Sequence, residues 1–213
     1  MTTVQLQPAQ LWADTVLNGI RDRGRDFSKH PVILKIASGE LSLPQLRLWA
    51  LQQWLLVRTV EQGPDRSFDY IPEPWRAKIV EALEEERYGK ASGTTGHPEL
   101  FVTFAQAIGL SLEQLEASKP LLPTAALMIL LEWGAKCRPW YYDMVIGGML
   151  EGATPVSYPN MVAGLRQHYH LSREATTFFE VHIEADKDHG DTARAMLRDL
   201  FTKQQEREEI QHA

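Results

Sequence analysis

The sequence predicts an all-α protein, a compact bundle of about seven helices. Apolar residues recur at helical spacing along most of the chain, stretches rich in Gly and Pro separate these segments, and no run alternates as a strand would. The helical segments are predicted near residues 8–24, 28–38, 43–62, 73–89, 97–109, 122–150 and 172–208.

Residues typical of helix starts and of turns support this division. Ser42 precedes Pro44, His97 precedes Pro98, and Ser172 opens the last segment. The stretches QGPDRS, KASGTTGHP, ASKPLLPT and EGATPVSYPN contain the residues that favour turns, so we expect them to connect helices.

Composition and charge restrict the class of protein. A chain of 213 residues with 44% hydrophobic content fits one globular domain, predicted over residues 1–213. The net charge of −6 disfavours nucleic acid or an anionic membrane as a partner. The single cysteine, Cys137, excludes an intrachain disulfide, and the first residues lack the pattern of a secretory signal. We therefore expect a cytoplasmic protein.

The stretch EVHIEADKDHG contains three good metal ligands at helical spacing. His182, Asp186 and His189 fall within roughly 60° of one another around a helix. The same stripe carries apolar residues that place it against the core: Phe178, Ala193, Met196 and Leu200. Polar groups on a buried stripe are costly unless they are paired or bound to metal. Mutual pairing is the alternative, but the inward row of three favours metal binding.

A second carboxylate is predicted on the segment WRAKIVEALEEERYGK. Its inward stripe consists of Trp75, Ile79, Ala82 and Leu83. One further turn along this stripe lies Glu86, whereas Glu84 and Glu85 are expected to point away as solvated charges. A surface position for Glu86 at the helix end is the alternative.

A third carboxylate is predicted on the segment WYYDMVIGGMLEGATP. The stripe of Trp140, Met144 and Gly148 leads to Glu151, and Gly147 and Gly148 would allow close approach of another helix. His97, directly before Pro98, is a further candidate ligand, although its position alone favours a helix cap.

The helix LPQLRLWALQQWLLVRTVEQG carries polar residues on its inward stripe. The apolar members of this stripe are Leu46, Ala50 and Val57. Gln53 and Glu61 share it, and we expect them either to bind a polar group of a substrate or to tie helices together as a buried polar pair. A transient metal ligand is a further alternative for Glu61.

The combination of LEEERYGK, GHPELFVTFAQAIGLSLEQLE, MLEGATP and HIEADKDH resembles the haem-oxygenase-like diiron oxidases and oxygenases, from about residue 30 onward. This group shares its fold with thiaminase-like and pyrroloquinoline-quinone-synthase-like proteins, so the resemblance implies a seven-helix haem-oxygenase-like bundle. The positions that match the family's metal ligands are Glu86, His97, Glu151, His182, Asp186 and His189. The chain departs from the family at Ala82, an asparagine in its motif, and the long loop before His97 leaves Glu85 as an alternative to Glu86.

The resemblance implies two Fe(II) ions, the second iron or manganese, and O₂ as co-substrate. Family members act on small organic acids or amino-acid-derived metabolites through a peroxo-diferric species, by desaturation, carbon–carbon cleavage or N-oxygenation. Members that form 4-aminobenzoate from their own tyrosine carry it just after the first helix-start motif, where this chain has Ile33. Since relatives often dimerise, a homodimer is one expected assembly.

Other functions of the same fold remain as alternatives. A thiaminase-like hydrolase needs a nucleophilic cysteine near the core glutamate, where this chain has TPVSYP, and Cys137 lies well before it. A metal-free cofactor-biosynthesis oxidase would not need all these carboxylates and histidines together. A ferritin-like carrier would show two Glu-x-x-His motifs. A helical interaction module would bind no redox metal, so iron affinity separates it from the enzyme.

Overall fold

The structure is a computed structural model that describes residues 8–22, 27–59, 71–137, 141, 147–148, 151–200 and 207–208. These ranges contain nine α-helices and no strand, which confirms the predicted all-α class. The helices are α1 Ala9–Asp22, α2 Pro31–Ser38, α3 Leu43–Val57, α4 Trp75–Tyr88, α5 His97–Ala107, α6 Leu112–Glu116, α7 Leu122–Cys137, α8 Thr154–His168 and α9 Thr177–Leu200. Short 3-10 turns at Phe27–Lys29 and Glu174–Thr176 precede α2 and α9.

The helix α8 was missed from the sequence, because the stretch EGATPVSYPN was predicted to be a turn. Pro155 lies in the first turn of α8, where its missing N–H costs no hydrogen bond. Pro159 lies inside the helix on an exposed face. The opposite face is buried, and its packing offsets the cost of that proline. The buried side chains are Tyr158, Met161, Val162 and Leu165.

Helix starts follow the predicted chemistry. Ser42 precedes α3, and its backbone N–H donates to Gln45 Oε1 at 2.9 Å, as in a capping box. Ser172 Oγ accepts from the N–H of Ala175 at 3.1 Å and opens the 3-10 turn before α9. The side chain of His30 accepts from the N–H of Val32 and caps α2.

The main core lies among α2, α3, α5, α8 and α9 and is rich in aromatic rings. Phe101 packs edge-on against Phe104 and Phe178, with ring centroids 5.5 and 5.0 Å apart. Phe178 in turn lies 4.3 Å, centroid to centroid, from the ring of His182. Aromatic packing therefore continues from the core to the predicted metal ligands on α9.

The predicted inward stripe of α9 is confirmed at Phe178, Ala193 and Met196, all of which are buried. The side chain of Leu200 lies outside what the structure describes.

Helix α7 presents several apolar side chains to solvent. Leu122 is 88% exposed, and Ile129 and Trp133 are also exposed. Among the described residues, no helix combines the length and hydropathy needed to cross a bilayer.

Candidate metal centre

Helix α9 supplies three side chains from one face. His182, Asp186 and His189 stand at positions i, i+4 and i+7, and all three are buried or half-buried. They do not converge on a single point. Instead, His182 joins one group of side chains, and Asp186 and His189 join another.

The first group consists of Glu86, His97 and His182, whose donor atoms lie within 4.8 Å of one another. Glu86 Oε2 is 2.8 Å from His97 Nδ1, and Glu86 Oε1 is 3.8 Å from His182 Nε2. The two imidazole rings have centroids 4.4 Å apart. Glu86 therefore bridges two histidines that come from different helices.

The turn between α4 and α5 brings His97 beside Glu86. Gly89 ends α4 with φ of +60°, a left-handed conformation that glycine adopts at low cost. Gly96 passes so close to α4 that a Cβ there would lie 2.3 Å from the carbonyl oxygen of Arg87. His97 then begins α5 and is only 1% exposed, and the N-cap position is occupied by Gly96, so the alternative of a helix cap is wrong for His97.

The second group consists of Glu151, Asp186 and His189, again with donor atoms within 4.8 Å of one another. His189 Nδ1 lies 3.0 Å from Glu151 Oε2 and 3.2 Å from Asp186 Oδ1. The Asp186 side chain is buried, whereas that of Glu151 is 47% exposed. The second group therefore opens to solvent on the Glu151 side.

Glycines allow the segment around Glu151 to approach α9. A Cβ on Gly190 would lie 2.9 Å from the Cα of Gly152, and one on Gly148 would lie 2.8 Å from the Cβ of Ala193. A Cβ on Gly147 would meet nothing within 4 Å. Close approach was predicted for Gly147 and Gly148, and it is found at Gly148 but not at Gly147. Gly190 was not singled out from the sequence.

Two further contacts orient these side chains. His182 Nδ1 lies 2.7 Å from the carbonyl oxygen of Phe178, so Nδ1–H donates there and Nε2 is directed toward Glu86. Thr154 Oγ donates to Asp186 Oδ2 at 2.5 Å. Thr154 was not predicted, since a threonine at a helix start carries no signal that its partner lies on another helix.

Glu85 was predicted to be a solvated charge, and this is wrong, because it is 5% exposed. Its Oε2 accepts hydrogen bonds from the N–H groups of Ala91 (2.6 Å) and Ser92 (3.0 Å), and its Oε1 lies 3.3 Å from His97 Nε2. The prediction was based on the periodicity of α4 alone, whereas the turn after α4 folds back over this carboxylate. Glu85 thus lies behind His97 and belongs to neither group, in contrast to Glu86.

The charges within the two groups shift several pKa values. Burial alone would raise the pKa of Glu86, but the close contact with His97 Nδ1 and the nearby imidazoles bring it below its usual range. Burial lowers the pKa of His97 and of His189, but the carboxylates next to each imidazole outweigh burial and raise both pKa values. Asp186 and Glu151 raise the pKa of His189 to about 10.

The donor chemistry fits metal ions. His97 Nδ1, Asp186 Oδ1 and His189 Nδ1 are buried and form no hydrogen bond of acceptable geometry, despite the short distances to neighbouring donors and acceptors. Buried polar atoms without partners are costly, and ligation would remove that cost. Imidazole and carboxylate together suit iron or manganese. Each group could hold one ion through three side chains.

Neither of the two predicted substrate-binding residues belongs to these groups, and one of them lies outside the described residues. Gln53 is half-buried on α3, and its side chain forms no hydrogen bond with the part of the chain that the structure describes. Glu61 and the side chain of Cys137 lie outside that part. Ile33 is buried in the main core.

Comparison with solved structures defines the fold as haem-oxygenase-like. A TenA homologue from Pseudomonas syringae pv. tomato matches with a TM-score of 0.75 at 15% identity, covering 99% of this chain and 90% of that chain. A domain of unknown function with a haem-oxygenase-like fold, from Shewanella denitrificans, matches with a TM-score of 0.67 at 16% identity, covering 99% and 86%.

The chain belongs to a family described as iron-containing redox enzymes, whose sequence profile matches residues 48–213. It is similar to the pyrroloquinoline-quinone synthase of Ruegeria pomeroyi, with 22% identity over 171 residues, 77% of this chain and 68% of that protein. It is also similar to the 4-aminobenzoate synthase of Chlamydia muridarum, with 24% identity over 187 residues, 84% of this chain and 75% of that protein.

Proposed function

We propose that this protein is a non-haem diiron oxidase or oxygenase that uses O₂ to modify a small organic acid or an amino-acid-derived metabolite. The proposal rests on two neighbouring groups of three metal-ligating side chains, both of which include residues from the same face of α9. Membership of an iron-containing redox family supports it. Desaturation, carbon–carbon cleavage and N-oxygenation are the reaction classes within this proposal.

Each group would hold one iron. Glu86, His97 and His182 would hold the first ion, and Glu151, Asp186 and His189 the second. When bound, two Fe(II) ions supply electrons for the reduction of O₂. The three carboxylates would offset most of the positive charge, and three protein ligands per ion leave positions open for other molecules.

The two sides of the centre differ in their access to solvent. His97 is almost fully buried and its ring lies 6.4 Å, centroid to centroid, from that of Phe178, so aromatic packing excludes water behind the first group. Glu151 is half-exposed. A substrate and O₂ would therefore reach the centre from the Glu151 side.

A metal-free oxidase of cofactor biosynthesis is the second candidate, favoured by the similarity to the Ruegeria pyrroloquinoline-quinone synthase. It leaves the unpartnered His97 Nδ1, Asp186 Oδ1 and His189 Nδ1 unexplained. Synthesis of 4-aminobenzoate from a tyrosine of the chain is disfavoured by Ile33, and a thiaminase-like hydrolase by the absence of cysteine between residues 151 and 160.

An anaerobic Fe(II) titration of chelator-treated protein tests the proposal. We expect wild-type protein to bind about two equivalents, and His182→Ala to lose or weaken the first. His170→Asn is the matched control, because His170 is exposed and asparagine tolerates its φ of +56°. Mixing loaded wild-type protein with O₂ should give a transient visible absorption band. Negligible binding by wild-type protein would overturn the diiron proposal and favour the metal-free candidate.

A further inference from the structure

We propose that Glu85 is the fourth carboxylate of the centre. It is a positioning residue that binds no metal itself, but fixes which nitrogen of His97 faces the metal and neutralises the last positive charge of two divalent ions. This inference rests on the proposed metal binding and adds a residue that the resemblance gave only as an alternative ligand.

The geometry places Glu85 on the side of the His97 ring opposite Glu86. Glu86 Oε2 lies 2.8 Å from Nδ1, and Glu85 Oε1 lies 3.3 Å from Nε2. The two nitrogens of this imidazole thus face two consecutive carboxylates of α4. Only Nδ1 faces Glu86 and His182, so a metal held by this group would bind Nδ1. Nε2 would then be free to donate a hydrogen bond to Glu85.

Glu85 is held rigidly as an acceptor. Its Oε2 receives the N–H groups of Ala91 and Ser92, so the carboxylate cannot turn to present that oxygen to the metal. Its Oε1 is left for His97 Nε2. When a metal takes the lone pair of Nδ1, the one proton of the neutral imidazole lies on Nε2, where Glu85 Oε1 accepts it.

Glu85 would also balance the charge of the two metal ions. Two divalent ions carry four positive charges, whereas Glu86, Glu151 and Asp186 supply three negative charges. Glu85, buried directly behind a ligand, supplies the fourth. Since uncompensated charge in a buried site is costly, this carboxylate favours occupation of both positions.

Glu85 also reduces the difference in negative charge between the two groups. The first group has one carboxylate and two histidines, and the second has two carboxylates and one histidine. His182 donates to a neutral backbone carbonyl, that of Phe178. His97 instead donates to a carboxylate, which makes its imidazole the stronger electron donor. The first ion would thereby gain negative charge that its own ligands lack.

The competing interpretation is that Glu85 only stabilises the turn after α4, through its hydrogen bonds with Ala91 and Ser92. Nuclear magnetic resonance of ¹⁵N-histidine-labelled, Zn(II)-loaded protein separates the two, since Zn(II) binding needs no redox chemistry. In wild-type protein we expect His97 to coordinate through Nδ1 and to show a slowly exchanging Nε2–H. Coordination through Nε2 in the wild-type spectrum would overturn the proposal without any variant.

Glu85→Gln keeps the size of the side chain and removes its charge. We expect the Nε2–H signal to shift upfield and exchange faster, and Zn(II) affinity in chelator competition to fall about 10–100-fold for at least one equivalent. Glu84→Gln is the matched control, because Glu84 pairs with the exposed Lys90, and it should behave as wild type. Wild-type affinity and an unchanged Nε2–H signal in Glu85→Gln would overturn the proposal.

The outcome is distinguishable from failure of the proposed function. If wild-type protein binds two Zn(II) ions with the expected His97 signal, but Fe(II)-loaded protein does not react with O₂, the oxidase proposal falls and the role of Glu85 stands. If the loaded protein reacts with O₂ and Glu85→Gln binds metal as wild type does, only the role of Glu85 falls.

Discussion

Thr154 Oγ donates a hydrogen bond to Asp186 Oδ2 at 2.5 Å, and so ties the first residue of α8 to the middle of α9. The other oxygen of this carboxylate, Oδ1, has no hydrogen-bond partner and lies 3.2 Å from His189 Nδ1. Thr154 therefore leaves Asp186 with one free oxygen, aimed into the second group.

Replacing Thr154 by valine tests this orientation. Thr154→Val keeps the shape but removes the donor, so Asp186 is free to rotate, and we expect the affinity of one metal equivalent to fall about 10–100-fold. The free energy of unfolding should fall by about 1–3 kcal/mol, because a buried acceptor loses its partner. Metal titration and urea denaturation measure the two effects. Thr15→Val, on an exposed face of α1, is the control, and equal behaviour of the two variants would contradict this role.

Replacing Gly190 by alanine tests the close approach of the Glu151 segment to α9. The added Cβ would meet the Cα of Gly152, so we expect the free energy of unfolding to fall by about 1–3 kcal/mol and the second metal equivalent to bind more weakly. Gly147→Ala is the matched control: a Cβ there meets nothing, and alanine favours the helix, so stability should be unchanged or slightly higher. Denaturation and metal titration of both variants provide the comparison.

The stability of metal-free protein should depend on pH through His189. Its pKa in the folded state, about 10, lies above the value of about 6.5 in an unfolded chain. Protonated His189 therefore contributes its full stabilisation of the folded state below about pH 6.5, and this contribution is lost as the pH rises toward 10. We expect the free energy of unfolding in the presence of chelator to fall between pH 7 and pH 10. Urea denaturation should show a smaller fall for His189→Gln, and parallel curves would exclude this contribution.

Metal binding should stabilise the fold. The two groups draw ligands from α4, α5, α9 and the segment before α8, which are assembled only in the folded chain. Free Mn(II) at about 100 times its Kd should therefore raise the free energy of unfolding by about 2.7 kcal/mol for each group that it occupies. Denaturation with and without Mn(II) measures the gain. A double variant, His182→Ala with His189→Ala, should show no gain, whereas His170→Asn should keep it.

Much of the centre could be predicted because its residues lie on apolar stripes. His182, Asp186 and His189 share one face of α9, and periodicity alone places them together. Glu86 continues the buried stripe of α4 for the same reason. Their division into two groups could not be predicted, since it depends on which neighbouring helix faces each turn of α9.

Two of the misses arose because residues outside the periodic pattern of a helix decided the outcome. Glu85 has a polar position on its own helix, but the turn at Ala91 and Ser92 buries it. Pro159 would ordinarily end a helix, but the buried face of α8 keeps it helical. The partners of Glu85 lie only six and seven residues further along the chain, but the fold of that turn back over α4 does not follow from the periodicity of the helix.

The position of α9 in the chain also determines when the centre can form during synthesis. Glu86 and His97 emerge from the ribosome early, yet neither group is complete until His182, Asp186 and His189 have followed. A nascent chain carrying only α1 to α8 presents isolated acidic and imidazole side chains and no complete pocket for either ion. Iron would accordingly be captured after translation has passed α9, by a bundle that is already packed.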